Sequence, residues 1–237
     1  MLLLAIDTSG KNGSIALARV SNCQSGIEIL EVLSLDGGAF SAQLVPQIAK
    51  LLERRGCSKN DLAAFAVVSG PGSFTGLRVG LAAVKALAEA LKKPIAAVSV
   101  LEAIARSTAS YGRVLAVLDA GRTDVYIGEY EIERDNQSIA HMHSERLLTR
   151  EKFLAEAGAG DLHNKTIVTP DPSLATAFRT PGLNLELNVE LIKYPDSGVI
   201  ARLGWEQVQR GQVVLPEELQ ANYIGHSDAE IYSKPAR

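Results

Sequence analysis

The stretch Ser69-Gly70-Pro71-Gly72-Ser73-Phe74-Thr75-Gly76-Leu77-Arg78-Val79-Gly80-Leu81 joins an apolar run, Leu62–Val68, to a segment with helical apolar spacing that ends near Leu91. It reads as a buried strand, a glycine-proline turn and a helix start, with Ser73 or Thr75 as the cap. The turn misses both phosphate-loop patterns. Gly70 and Gly76 are six apart, and Leu77 stands where a Walker A loop has lysine. Gly70, Gly72 and Gly76 give G-x-G-x-x-x-G, one residue longer than the dinucleotide fingerprint. Two readings stay open. A glycine-rich helix N-terminus can hold an anion, or the glycines and Pro71 simply make a sharp turn.

The helix itself is unusual. At about 100° per residue, Arg78, Lys85 and Glu89 share one narrow stripe. Leu77, Val79, Leu81, Val84, Leu87 and Leu91 surround the rest. A surface helix has a wider polar face, so this one is expected to be covered on two sides. Gly76, Gly80 and Ala83 make a small-residue face that another backbone could approach. The helix is either central within its own domain or shared with a partner protein.

The 237 residues allow one large domain or two small ones. A net charge of −3 leaves no electrostatic footprint for nucleic acid. Cys23 and Cys57 form no CxxC pair, which argues against a disulfide framework or a zinc site and suits a reducing cytoplasm. The N-terminal apolar run stops at Asp7 without a basic region, so a signal peptide is not expected. Nor does any uncharged apolar stretch reach about 18 residues, the length of a membrane span.

Leu2–Ile6, a turn from Asp7 to Gly13 and Ser14–Val20 predict a β-hairpin, with Ile27–Leu35 as a third strand. Leu44, Val45, Ile48, Leu51 and Leu52 predict an amphipathic helix over Ser41–Arg55, ended by Gly56. Then come strand Ala64–Ser69, helix Thr75–Leu91, strand Ile95–Val98 and a helix opened by the Ser99-x-x-Glu102 capping box. The order β-β-β-α-β-α-β-α is an α/β layer with some antiparallel strands. The pattern then restarts. Ala116-Val117-Leu118-Asp119 repeats Leu4-Ala5-Ile6-Asp7 at an offset of 112 residues, followed by a turn to Asp124 and strand Val125–Ile132. That implies an internal duplication. Beyond Glu133 the expected elements are helix Thr149–Glu156, strands Thr166–Thr169 and Leu187–Tyr194, and helix Ser197–Arg210 with Ser197 as N-cap. Pro216–Arg237 is polar and tail-like.

The hairpin Asp7-Thr8-Ser9, its counterpart at Asp119 and the α/β order resemble the actin-like ATPase superfamily. Within it, Ser69–Gly80 is similar to the signature of the bacterial TsaB (YeaZ) family, and Leu3–Ser9 and Leu118-Asp119-Ala120 stand where that family has them. The resemblance is strong from residue 1 to about 131 and thin beyond. It implies the actin-like (ribonuclease H-like) α/β fold of two duplicated subdomains, 1–106 joined by helix 197–211, and 107–196, with an irregular tail over 212–237.

The resemblance also implies a function. The chain would be a non-catalytic partner of a TsaD-family subunit, which makes N6-threonylcarbamoyladenosine next to the anticodon of tRNA. It would pair with itself when alone, be joined by a TsaE-family ATPase, reach tRNA only through the complex, and bind no membrane. Pairing would use the helices Ser41–Arg55 and Thr75–Leu91. The first contributes Leu44, Ile48, Leu51 and Leu52; the second contributes Phe74, Gly76, Leu77, Gly80, Leu81, Val84 and Leu87. Replacing Gly80 with a bulky charged residue is then expected to break pairing and leave the fold intact.

No cofactor is required on this reading. Asp7, Thr8, Ser9, Asp119, Ala120 and Gly121 are candidates for residual ATP or ADP binding, through water or Mg2+, or are simply turn residues. Three departures from the family stand out. Phe40-Ser41-Ala42 replaces its His-Ser-Glu and implies a more apolar contact. Thr169-Pro170-Asp171 replaces a Gly-Asp-Gly-like turn, and Tyr223-Ile224-Gly225 replaces Tyr-Leu-Arg. Competing classes are a metallopeptidase and a small-molecule kinase of the same superfamily. His141, His143, His163 and His226 contain no His-x3-His pair, which argues against the first, and the short second lobe argues against the second.

Overall fold

The computed structural model describes every residue except 22–25, 134–138, 159–163, 180–186 and 226–237. Contacts divide it into one unit of Met1–Ala103 with Pro195–Asn222, and another of Ile104–Tyr194 with Tyr223–Arg237.

The first unit holds β1 (Leu2–Asp7), β2 (Gly13–Val20), β3 (Ile27–Leu35), α1 (Phe40–Arg54), β4 (Leu62–Gly70), α2 (Phe74–Leu91) and β5 (Ile95–Ser99). The short helix α3 (Val100–Ala105) follows, with the Ser99 hydroxyl accepting from the N–H groups of Leu101 and Glu102 at its start. Strand order is β3-β2-β1-β4-β5. The first three strands are antiparallel and β1, β4 and β5 are parallel.

The second unit repeats this with β6 (Gly112–Gly121), β7 (Asp124–Ile132), β8 (Ile139–Thr149), α4 (Arg150–Gly158), β9 (Thr166–Thr169), α5 (Pro172–Arg179) and β10 (Asn188–Leu191). Its order is β8-β7-β6-β9-β10, with the same strand directions. The same five-strand topology therefore occurs twice, as the repeated strand-Asp pattern implies. It is the ribonuclease H-like, actin-like arrangement.

Helix α6 (Ser197–Gln209) returns to the first sheet and packs on β1, β2, β4 and β5. Its seat is legible in the register. Ala5 pairs with Ala16 and Ala66, and Ala66 with Ala96, so four small side chains cross the sheet in one row. Gly204 lies on that row, where an added Cβ would stand 2.3 Å from the Ala66 Cβ. Gly204→Leu is therefore expected to destabilise the chain by about 3 kcal/mol in urea titration, since overpacking a rigid strand has no cheap relief. A loss under about 0.5 kcal/mol would show that α6 is not seated there. The cap of α6 is Asp196, which accepts from the Gly198 N–H, not Ser197. Ser197 is buried and is bound instead to Ser14, donating to its carbonyl and accepting nothing from the first turn of its own helix in these bonds.

In the second unit α4 and α5 bring Phe153 and Phe178 together, ring centroids 5.0 Å apart, over Leu115, Val117, Val125 and Ile127. Strand β8 and helix α5 were not expected from sequence. The stretch after α6 is irregular but anchored rather than a free tail as far as Asn222. Val214 bridges to Ile95, Leu219 is buried, and the Asn222 N–H donates to the Ser69 carbonyl at 2.7 Å.

Candidate protein-binding surface and hairpin loops

Helix α2 starts where Ser73 accepts the Gly76 N–H and ends at Lys92, which takes a left-handed conformation (φ 52°). Its inner face, Gly76, Leu77, Gly80, Leu81, Val84 and Ala88, is buried on β4 and β1. The small-residue face is thereby explained from within. An added Cβ on Gly76 would stand 2.0 Å from the Thr8 carbonyl oxygen, and one on Gly80 would stand 2.4 Å from the Thr8 Oγ1. Those glycines admit the β1–β2 loop and not an outside backbone. The expectation that a Gly80 substitution spares the fold is corrected on that ground.

The same holds along α1. Leu44, Ile48, Leu51 and Leu52 are buried, against α2, β3 and β2, so these predicted contact residues lie within the unit. Phe40 is also interior, because an added Cβ on Gly13 would stand 2.8 Å from its ring. It makes no outward apolar contact of the kind its sequence position implied. Of the predicted set, Phe74 is 39% exposed and Leu87 half-buried.

What the two helices do present outward was not singled out from the sequence. On α1 it is Ser41, Ala42, Val45, Pro46, Ala49, Lys50, Glu53 and Arg54, with Val45 61% exposed. On α2 it is Thr75, Arg78, Ala82, Ala86, Glu89 and Ala90. The Arg78 guanidinium lies 3.6 Å from the centroid of the Phe74 ring. The signal was available in the period: Ala82, Ala86 and Ala90 recur every four residues on the face opposite Gly76, Gly80 and Val84. Short side chains there leave an apolar stripe between Arg78 and Glu89 at low side-chain entropy cost.

The two hairpins differ. In the first, Asp7 ends β1 and pairs with Ser14. Asp7 Oδ1 accepts the N–H and the hydroxyl of Ser9, the Thr8 hydroxyl donates to the Gly76 carbonyl at 2.7 Å, and the Ser73 N–H donates to the Ser9 carbonyl at 2.7 Å. Asp7, Thr8 and Ser9 are buried, and an added Cβ on Gly72 would stand 2.6 Å from the Ser9 carbonyl oxygen. The loop is filled by α2 and by its own side chains, which does not fit a phosphate cradle. In the second hairpin Asp119 and Ala120 are within β6, and the turn is only Arg122-Thr123, with positive φ at Gly121 and Arg122. Asp119 is bound by Arg150 at 2.7 Å.

Nearby charges in the second unit are structural. Lys165 holds Glu129 at 2.9 Å, with side chains 13% and 15% exposed. Burial pushes the Glu129 carboxyl up, but the Lys165 hydrogen bond and charge outweigh it, so it lies below its ordinary value. Asp171 caps α5 through Ser173 and Leu174; burial raises its carboxyl, and those bonds bring it below the usual range. Groups with lowered folded values contribute stability above their unfolded values and lose it as pH falls through the folded ones. Stability is thus expected to decline below about pH 4. Glu129→Gln should flatten that acid limb in chemical denaturation from pH 6 to 2, and an unaltered limb would remove Glu129 from the account. His143 lies 3.7 Å from Glu131. His163 and His226 fall outside the described residues. Among the described residues no three His, Cys, Asp or Glu are placed to hold a metal ion, and no helix is long and apolar enough to cross a membrane.

The model of the TsaD family, described as tRNA N6-adenosine threonylcarbamoyltransferase, matches residues 37–189. The tRNA threonylcarbamoyladenosine biosynthesis protein TsaB of Bacillus subtilis is 36% identical over 132 residues, 55% of this chain and 56% of that protein. TsaB of Escherichia coli is 33% identical over 144 residues, 60% of this chain and 59% of that one. The chain thus matches a little over half the length of these curated relatives. The solved structure of YeaZ from Pseudomonas aeruginosa superposes with a TM-score of 0.72 at 26% identity, covering 94% of this chain and 99% of that one.

Proposed function

The chain belongs to the TsaD family, among whose members its curated relatives carry the name TsaB, and from that premise we propose that it is a non-catalytic subunit in the making of threonylcarbamoyladenosine in tRNA. It acts in the cytoplasm by pairing with a catalytic TsaD-family protein, and with a second copy of itself when alone. A TsaE-family ATPase joins the complex. Transfer chemistry and tRNA contact belong to the other subunits, in keeping with the net charge of −3.

The observation that carries this reading is the outer face of α1 and α2. It combines exposed Val45 and Phe74 with alanines at helical spacing, flanked by the charged Lys50, Glu53, Arg54, Arg78 and Glu89, beside a core already complete without it. Apolar surface left in this form favours a protein partner. The hairpins support a non-catalytic role, because Asp7 and Asp119 are tied to Ser9 and Arg150. The reading is tested by deleting the gene and measuring threonylcarbamoyladenosine in bulk tRNA by nucleoside mass spectrometry. Loss on deletion and recovery on restoring the gene are expected; unchanged modification would overturn it.

A further inference from the structure

The turn that starts α2 is gripped at both ends. On one side the Ser73 N–H donates to the Ser9 carbonyl at 2.7 Å. On the other the Asn222 N–H donates to the Ser69 carbonyl at 2.7 Å. The second grip leaves no slack, since an added Cβ on Gly70 (φ 140°) would stand 2.4 Å from the Asn222 carbonyl oxygen. Asn222 closes a strap, Gln212–Asn222, that is itself well seated. Val214 exchanges two backbone hydrogen bonds with Ile95 on β5, and Leu219 is 2% exposed. Leu215 and Glu218 bond one another within it. Asn222 is also the last residue of the first unit.

We propose that the strap is a latch, in which the Asn222 backbone positions the β4–α2 turn and hence the Phe74–Arg78 end of the pairing surface. The reasoning is geometric. Gly70 and Gly72 are conformationally permissive residues with positive φ on either side of Pro71, so the position of the turn depends on the bonds at Ser69 and Ser73 that hold its two ends. Phe74 begins the helix only two residues past Gly72, and its ring lies beneath Arg78. A shift of the turn therefore moves the exposed ring directly. Pairing and latching are thermodynamically linked, so each favours the other. The inference rests on the pairing reading above, and its test separates the two.

The test uses the full chain carrying Asn222→Pro, which deletes the donor N–H, and separately Leu219→Ser, which loosens the strap but keeps that N–H. Amide exchange is followed at Ser73, Gly76 and Leu77, and pairing is followed by titration with a second copy of the chain. Exchange at those three amides is expected to rise at least tenfold, and pairing to weaken at least tenfold, while β1 and β2 amides stay as in the unaltered chain. Exchange unchanged at the three amides in both variants would overturn the latch. Raised exchange with pairing intact would overturn its link to the surface. If the unaltered chain does not pair with itself, the self-pairing part of that reading falls, titration against a TsaD-family protein becomes the pairing readout, and exchange still decides the latch. Should Asn222→Pro fail to fold, Leu219→Ser decides on the same readouts.

Discussion

Gly76→Ala is expected to lower unfolding stability by about 3 kcal/mol, although it adds one methyl to a helix and raises helix propensity. The methyl would stand 2.0 Å from the Thr8 carbonyl oxygen, and that loop cannot retreat. Ser9 is bound to Asp7 behind it and to Ser73 beside it, and the Thr8 hydroxyl is bonded to Gly76 itself. Urea titration measures the effect. Stability equal to or above that of the unaltered chain would show that the β1–β2 loop is not packed into α2. The substitution also separates the two explanations of a glycine in this helix. A glycine reserved for a partner could be replaced without cost to the isolated chain, and one reserved for Thr8 could not.

Ala86→Arg carries the second large effect, and it has the opposite character. Ala86 is exposed on α2, so the variant is expected to fold with stability within about 0.5 kcal/mol of the unaltered chain. Placing a guanidinium within the proposed helix contact, where pairing would desolvate it, should nevertheless weaken pairing on the order of 100-fold. Titration against a TsaD-family protein, with light scattering for self-association, reads it directly. Val45→Asp on α1 should act in the same direction. Pairing unaffected by both would place the contact elsewhere.

Much of the fold was legible because it depends on local pattern. The strand ends at Asp7 and Asp119, the helix spacing from Leu44 to Leu52, and the turn before α2 all follow from residues close in sequence. Strand β8 was not legible. Its sequence, Ile-Ala-His-Met-His-Ser-Glu-Arg-Leu-Leu-Thr, has no period-2 alternation, because it is an edge strand with bulged pairing to β7. Helix α5 is eight residues long and begins at Pro172, too short for periodicity to emerge. The small-residue face of α2 was legible, but its neighbour was not. The resemblance gives both helices a pairing role, yet the residues named for it on α1 and most of those on α2 are buried within the unit. The true neighbour of Gly76 and Gly80 is Thr8, 68 residues away from Gly76 in the chain. Only the packed structure reveals a contact at that separation, and it leaves Val45, Ala82 and Ala86 among the exposed residues of the two helices.

The most direct measurement of the central claim is threonylcarbamoyladenosine in the tRNA of a strain lacking the gene and carrying Ala86→Arg at normal protein level. The expected result is modification close to that of the deletion strain, with the unaltered gene restoring it fully. Full restoration by Ala86→Arg would contradict pairing through the outer face of α1 and α2.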